Sequence, residues 1–216
     1  MTPFPVILSS PSGGGKTTIA RALLTQRRDV GYSVSCTTRK PRHGEVDGVD
    51  YFFLTADEFE LAAARGDFAE WAVVHGQRYG TLKREVERVL AAKKHVIMDI
   101  DVQGARQLLD AFPSSLLIFV LPPSADVLVE RLRGRRSEGP EALIRRLETA
   151  VQELKAVSMY HYMVTNDRLD IAVARVSSII DSEAARSERQ RESHDADVGT
   201  LIQQLQLEIG KQQEKG

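Results

Sequence analysis

Residues 9–18 read SSPSGGGKTT, a stretch whose residue types and spacing suit phosphate binding. In the pattern G-x-x-x-x-G-K-[ST], backbone N–H groups at the positive end of a helix converge on oxyanions. The lysine reaches the β- and γ-phosphates and the hydroxyl after it meets Mg2+. Here Gly13 and Gly14 allow close backbone approach, and Gly15, Lys16 and Thr17 fill the last three places of the pattern. Ser10 stands where the first glycine is usual, with Pro11 and Ser12 between. A serine at that position costs on the order of 1 kcal/mol or more if the backbone must take a positive φ, and little if it is extended. The competing reading is a flexible Gly/Ser linker, but such linkers rarely join a buried strand to an amphipathic helix.

A second candidate is Asp99, near the end of the apolar run HVIMDID, residues 95–101. It occupies the place from which a strand-end carboxylate helps hold Mg2+, directly or through water. The alternative is that it caps the next helix. The lone cysteine, Cys36, excludes an internal disulfide, fits a reducing compartment and is expected to be a small, partly buried side chain. The five histidines never approach metal-ligand spacing, so no structural metal is expected.

The elements that must position these groups alternate. Pro5–Leu8 reads as a buried strand feeding the loop, and TTIARALLTQRR after Lys16 reads as a helix. Short β-prone pieces at Tyr32–Ser35 and Asp50–Leu54 flank a loop rich in Arg, Lys, Pro and Gly. Thr55-Ala-Asp-Glu58 is a capping-box signature, opening a helix stopped by Gly66. Phe68–Gly80 has the mixed aromatic and polar character of a binding surface, followed by a helix over Leu82–Lys94. A buried strand at His95–Asp101 precedes a helix at Gln103–Phe112, and an apolar strand at Ser115–Leu121 precedes a helix at Ser124–Leu132. In Glu141–Val157, the spacing of Leu143, Leu147, Ala150, Val151, Leu154 and Val157 predicts one buried helix face. Tyr162–Thr165 is a last short strand, and the chain from Leu169 onward is helical and increasingly polar. Strands alternating with helices predict an α/β fold with a parallel core sheet covered on both faces.

The chain has 216 residues, enough for one domain with a substantial core. Lys plus Arg (29) nearly balances Asp plus Glu (30), so no global basic field invites nucleic acid. The longest apolar run, Leu116–Leu121, is too short to span a bilayer. The start MTPFPVILSS lacks the positive region of a signal peptide, and a cytoplasmic protein without nucleic-acid or membrane partners is expected.

Four ordered motifs, PSGGGKT, SCTTRKPRHGEVDGVDY, EWAVVHGQRYGT and DIDVQG, resemble the signature of guanylate kinases of bacterial type, within the nucleoside monophosphate kinase family. The resemblance runs from about Val6 to about Ala184. It implies a three-layer α/β/α phosphate-loop fold with a mixed GMP-binding subdomain and a small mobile lid. On that pattern the domain covers residues 4–184, with its core at 4–34 and 82–190, the GMP-binding part at about 35–81 and the lid at about 133–145. Residues 185–216 form a polar helical tail, a candidate partner surface, in a protein that is a monomer or a homo-oligomer.

The resemblance further implies ATP-dependent phosphorylation of GMP, and by extension dGMP, to the diphosphate in purine metabolism. Ser10, Pro11, Ser12, Gly13, Gly14, Gly15, Lys16 and Thr17 would bind ATP, with Thr17 and Asp99 holding Mg2+. Arg39, Arg42, Tyr51 and Tyr79 offer guanidinium forks and phenol hydroxyls suited to clamping a phosphate. Glu70 suits guanine, whose N1–H and N2–H2 are both donors that one carboxylate accepts together, while adenine turns a lone pair toward it. A site built on such hydrogen bonds rejects the wrong substrate by about 10⁴-fold or more. Ser35, Thr81 and Asp101 match the family's other contacts on the base side.

RLRGRRSEGPEALIRRL resembles the family's lid. Arg135 and Arg146 match its catalytic arginines, with Arg131 and Arg136 as lesser candidates. Arg136 replaces a glycine of the usual R-G-R-G and is placed to stack on adenine. Asn166 matches the asparagine beside the adenine, and Arg168 replaces an aspartate of the usual V-N-D-D. Two rivals stay open. One is a guanylate-kinase-like binding module without catalysis. The other is a kinase for ribose bisphosphate, which has no use for Glu70 as a base reader.

Overall fold

The computed structural model describes residues 2–74, 76–133 and 140–213. Its first strand, β1 (Pro5–Ser9), is buried throughout, and it ends in the glycine-rich loop that opens α1 (Lys16–Gln26). Val6, Ile7 and Leu8 are fully buried, each contributing about 1.5–3 kcal/mol by leaving water. Then come β2 (Val30–Tyr32), β3 (Cys36–Thr37), β4 (Phe52–Phe53), α2 (Ala56–Ala64), β5 (Phe68–Val74), β6 (Gln77–Leu82) and α3 (Lys83–Ala91). They are followed by β7 (His95–Asp99), α4 (Val102–Ala111), β8 (Leu116–Leu121), α5 (Ala125–Arg133) and α6 (Pro140–Lys155). A 3-10 turn at Val157–Met159 leads to β9 (Tyr162–Thr165), α7 (Leu169–Ala184) and α8 (Ser187–Gln213).

Five parallel strands in the order β2-β7-β1-β8-β9 form the core sheet. Strand side chains alternate between its faces. Val6, Leu8, Ile118 and Val120 pack with Ile19 and Leu23 of α1 and Val173 and Val176 of α7. Ile7, Val96, Leu117 and Phe119 pack on the other side with Val86 of α3 and Leu108 of α4. This is the expected three-layer α/β/α arrangement. The C-terminal ends of parallel strands are where such folds bind ligands.

A second, mixed sheet has the order β4-β3-β6-β5. Its small core is Cys36, Phe59, Ala62, Phe68 and Leu82. Cys36 is fully buried, and burial pushes its thiol up to about 12, leaving no thiolate nucleophile at neutral pH. The capping box is formed as expected. Thr55 Oγ1 accepts the Glu58 N–H at 3.2 Å, and Glu58 Oε2 accepts the Thr55 N–H at 2.7 Å.

The structure adds to two expectations and narrows a third. The stretch Phe68–Gly80 forms most of a regular antiparallel hairpin, β5 with β6. A register shift lies between Phe68 and Glu70, and the exposed apolar Trp71, Val73 and Val74 leave no apolar/polar alternation along β5. On α6, Ala150 is buried, and Leu143 and Leu147 pack against Leu128 and Leu132 of α5. Val151 and Leu154, however, are exposed at 50% and 36%, so the buried face is narrower than the spacing predicts. Last, α8 is helical as expected, and Leu201, Ile202, Leu205 and Ile209 are exposed on it. Among the described residues, no helix is long and apolar enough to cross a membrane.

Candidate active site

The loop between β1 and α1 folds around its own backbone. The carbonyl of Pro11 accepts both the Gly14 N–H at 2.8 Å and the Ser10 hydroxyl at 2.9 Å. Among the described residues only Lys93 has a positive φ without being glycine, so Ser10 carries no left-handed strain. The missing glycine is tolerated because the backbone there does not require one. Gly15 is different. Its φ is +96°, and a Cβ on it would stand 2.3 Å from Asn166 Nδ2, so no side chain fits there. Asn166 itself donates to the Gly14 carbonyl at 3.0 Å, and its own carbonyl accepts Arg131 Nη2 at 3.2 Å. The asparagine expected beside an adenine props the loop from the end of β9.

A cleft of about 1020 Å3 opens beside this loop. Lys16 and Thr17 line it from the loop, Glu70 and Thr81 from the second sheet, and Arg39 and Arg146 from either side. At its floor Thr17 Oγ1 donates to Asp99 Oδ2 at 2.5 Å. The helix-capping alternative for Asp99 falls to its neighbour: Asp101 Oδ1 accepts the Gly104 N–H at 2.8 Å and caps α4.

A hydroxyl and a carboxylate side by side next to the loop are the donor set of a Mg2+ that keeps most of its coordination for substrate phosphates and water. Among the described residues no three His, Cys, Asp or Glu side chains gather into a protein-only metal site. The Thr17 hydroxyl and the Asp99 carboxylate fit a metal that arrives with a nucleotide.

On the second sheet, Arg39 presents a two-pronged fork to Glu45, with both N···O distances 2.9 Å. Glu45 raises the guanidinium pKa, and Arg39 in turn holds the Glu45 carboxyl below its ordinary range. Glu45 also accepts the Arg42 N–H at 2.7 Å, fixing the loop that carries both arginines. The Arg39 guanidinium carbon lies 5.5 Å from the centre of the Tyr51 ring, which stands edge-on to Tyr79 at 6.1 Å. The four residues expected to clamp a phosphate are thus gathered on the wall of the cleft, together with Ser35.

Glu70, on β5, is 7% exposed and accepts the Thr81 hydroxyl at 2.6 Å. Burial pushes its carboxyl up to about 7, the Thr81 hydroxyl opposes that shift, and Asp101 adds to it. A buried carboxylate held by one hydroxyl keeps acceptor capacity for a ligand that brings its own donors.

Sequence reasoning missed Glu153. Its Oε2 accepts the Ser12 N–H at 3.2 Å, linking the far end of α6 to the phosphate loop. Burial raises its carboxyl pKa and the field of Lys16 opposes that. The available signal was position: Glu153 lies seven residues, two helical turns, after Arg146, and both line the cleft. Glu45 was also missed, although it stands inside the quoted motif. Arg135 and Arg136 lie outside the described residues, as do residues 134–139 of the expected lid.

With the geometry in hand, the Guanylate kinase family profile matches residues 2–183. The chain belongs to the guanylate kinase family. A guanylate kinase of Clostridium perfringens (strain SM101 / Type A) is 45% identical over 188 residues, 87% of each chain. One from Geobacter sulfurreducens is 45% identical over 183 residues, covering 85% of this chain and 90% of the relative. The crystal structure of guanylate kinase from Anaplasma phagocytophilum superposes with a TM-score of 0.70 at 30% identity, covering 87% of this chain and 89% of that one. The family profile's match ends at residue 183, before α8, which begins at Ser187.

Proposed function

We infer that this chain transfers the γ-phosphoryl group of ATP to GMP, giving ADP and GDP, which is the activity of its family. The observation that carries the acceptor assignment is the buried Glu70–Thr81 pair in the same cleft as Lys16 and Thr17. Glu70 takes the two donors of the guanine edge, with Ser35, Thr81 and Asp101 around it. Arg39, Arg42, Tyr51 and Tyr79 hold the acceptor phosphate, and Glu45 yields or shares Arg39 when that phosphate arrives.

The acceptor is an oxyanion at neutral pH, because the second pKa of a phosphate monoester lies near ~6. No general base is needed. A bond forms between an oxygen of the GMP phosphate and the γ-phosphorus, while the bond from that phosphorus to the β,γ-bridging oxygen breaks and ADP departs. Catalysis rests on alignment and on neutralising charge. Lys16, Arg135 and Arg146 neutralise it, and the loop N–H groups hold the donor phosphates. Thr17 and Asp99 would hold Mg2+, which supplies further charge neutralisation when bound with ATP. Closure of the lid over residues 133–145 keeps water from taking the phosphoryl group. Nothing in this chemistry needs a membrane or a nucleic acid, and the cytoplasm supplies both substrates.

A phosphoryl-transfer assay with GMP, AMP and ribose 1,5-bisphosphate tests the reading. GMP alone is expected to turn over. Equal rates on AMP and GMP would remove Glu70 from base recognition, and no turnover with any acceptor would leave a binding module. Lys16→Ala is expected to abolish transfer while GMP still binds.

A further inference from the structure

Glu70 belongs to the second sheet, yet two residues of the core helix α4 fix where its carboxylate lies. The strand that carries it, β5, is an edge strand whose only sheet partner among the described residues is β6. On the other side the side-chain amide of Gln107 takes the place of a strand. Its Oε1 accepts the Trp71 N–H at 3.1 Å and its Nε2 donates to the Trp71 carbonyl at 3.0 Å. The side-chain amide, with an acceptor and a donor side by side, satisfies both groups of that residue. One helical turn earlier, at the i−3 position on the same face, is Gly104. A Cβ built on Gly104 would stand 2.7 Å from Glu70 Oε2 and 3.3 Å from Glu70 Cδ, closer to Oε2 than non-bonded atoms come. The carboxylate therefore lies against bare backbone, and Asp101 holds that backbone by accepting the Gly104 N–H.

We propose that Gly104 and Gln107 are positioning residues for guanine recognition. Gln107 sets the height of β5 against α4 through Trp71, and Gly104 leaves the space in which the Glu70 carboxylate lies. Neither needs to touch the nucleotide. Base selection is thus set by the packing of a core helix on the acceptor subdomain as well as by the groups that face the base. This inference rests on the reading of Glu70 as the acceptor of the guanine donors.

The test compares Gly104→Ala, Gln107→Leu and Glu70→Gln in the full chain. Steady-state constants are measured with GMP and with IMP, which keeps O6 and N1–H but lacks the N2 amine. Gly104→Ala and Gln107→Leu are expected to raise KM for GMP and to cut the preference for GMP over IMP, each by about tenfold, with KM for ATP changed less than about twofold. The higher helix propensity of alanine offsets part of the cost of displacing the carboxylate, so Gly104→Ala should lower the thermal midpoint by no more than about a few degrees while recognition falls. A merely structural role would not separate the two. If Glu70→Gln removes the preference but Gly104→Ala and Gln107→Leu leave it intact, the positioning role is wrong. If Glu70→Gln itself leaves KM for GMP and the preference unchanged, the underlying reading of Glu70 fails instead. If Gln107→Leu unfolds, Gly104→Ala decides alone.

Discussion

Thr17 donates its hydroxyl to Asp99 across 2.5 Å, tying the first turn of α1 to the C-terminal end of β7, the strand beside β1. The two residues are 82 positions apart in the chain. They come together because parallel strands deliver their C-terminal ends to one edge of the sheet.

That contact gives the first prediction. If Thr17 and Asp99 hold Mg2+ with ATP, Asp99→Asn raises the Mg2+ concentration for half-maximal rate by about tenfold or more and leaves GMP affinity near wild type. Initial rates against total Mg2+ check it, and an unchanged Mg2+ requirement would take Asp99 out of the metal site.

The second concerns pH. Burial raises the Glu70 carboxyl to about 7, so in the free protein the acid form gains as pH falls through that value. The acid form offers guanine a donor where an acceptor is needed, so KM for GMP should rise below about pH 7 while KM for ATP stays flat. Stability runs the other way. The folded pKa lies above the ordinary 4.5, so the folded state binds the extra proton, and wild type loses stability as pH rises from there to about 7. Glu70→Gln removes that slope. Thermal midpoints of both proteins from pH 4.5 to 8 measure it, and parallel curves would show that Glu70 does not titrate in this window.

The third concerns Glu153, whose carboxylate receives the Ser12 N–H at 3.2 Å. Hydrogen bonds to charged groups are worth about 1.5–3 kcal/mol. Glu153→Ala is therefore expected to weaken ATP by roughly 10-fold or more, through a loosened loop, with GMP affinity little changed. Glu153→Gln keeps an acceptor at the same place and should recover most of the loss. Equal damage from both variants would mean that the charge facing Lys16, and not the hydrogen bond, is what the loop needs.

Much of the site was legible in the sequence because it is encoded locally. A strand, a glycine-rich turn, Lys16 and Thr17 within a few positions specify an anion cradle wherever they fold together, and Thr55 with Glu58 specify a helix start. Lys16, Thr17, Arg39, Glu70, Thr81 and Arg146, as the resemblance implied, line one cleft. The hairpin β5–β6 was not legible, because Trp71, Val73 and Val74 on β5 are apolar yet exposed, so apolar and polar residues do not alternate along it.

Residue types at short spacing were enough for the alternation of strands and helices, the anion-binding loop, the Thr55–Glu58 cap and the family. Each is a matter of residue type at short spacing, and the backbone reads such patterns directly. Tertiary structure alone decided which acid does what. Asp99 meets Thr17, Asp101 caps α4, and Glu153 reaches a loop 141 residues away. It also decided that Ser10 needs no positive φ, that Val151 and Leu154 stay exposed, and that Gly104 and Gln107 shape the place of Glu70. These depend on how the second sheet and α6 pack on the core. A contact between distant segments is fixed by the shapes of both partners, and no spacing within one of them carries that information.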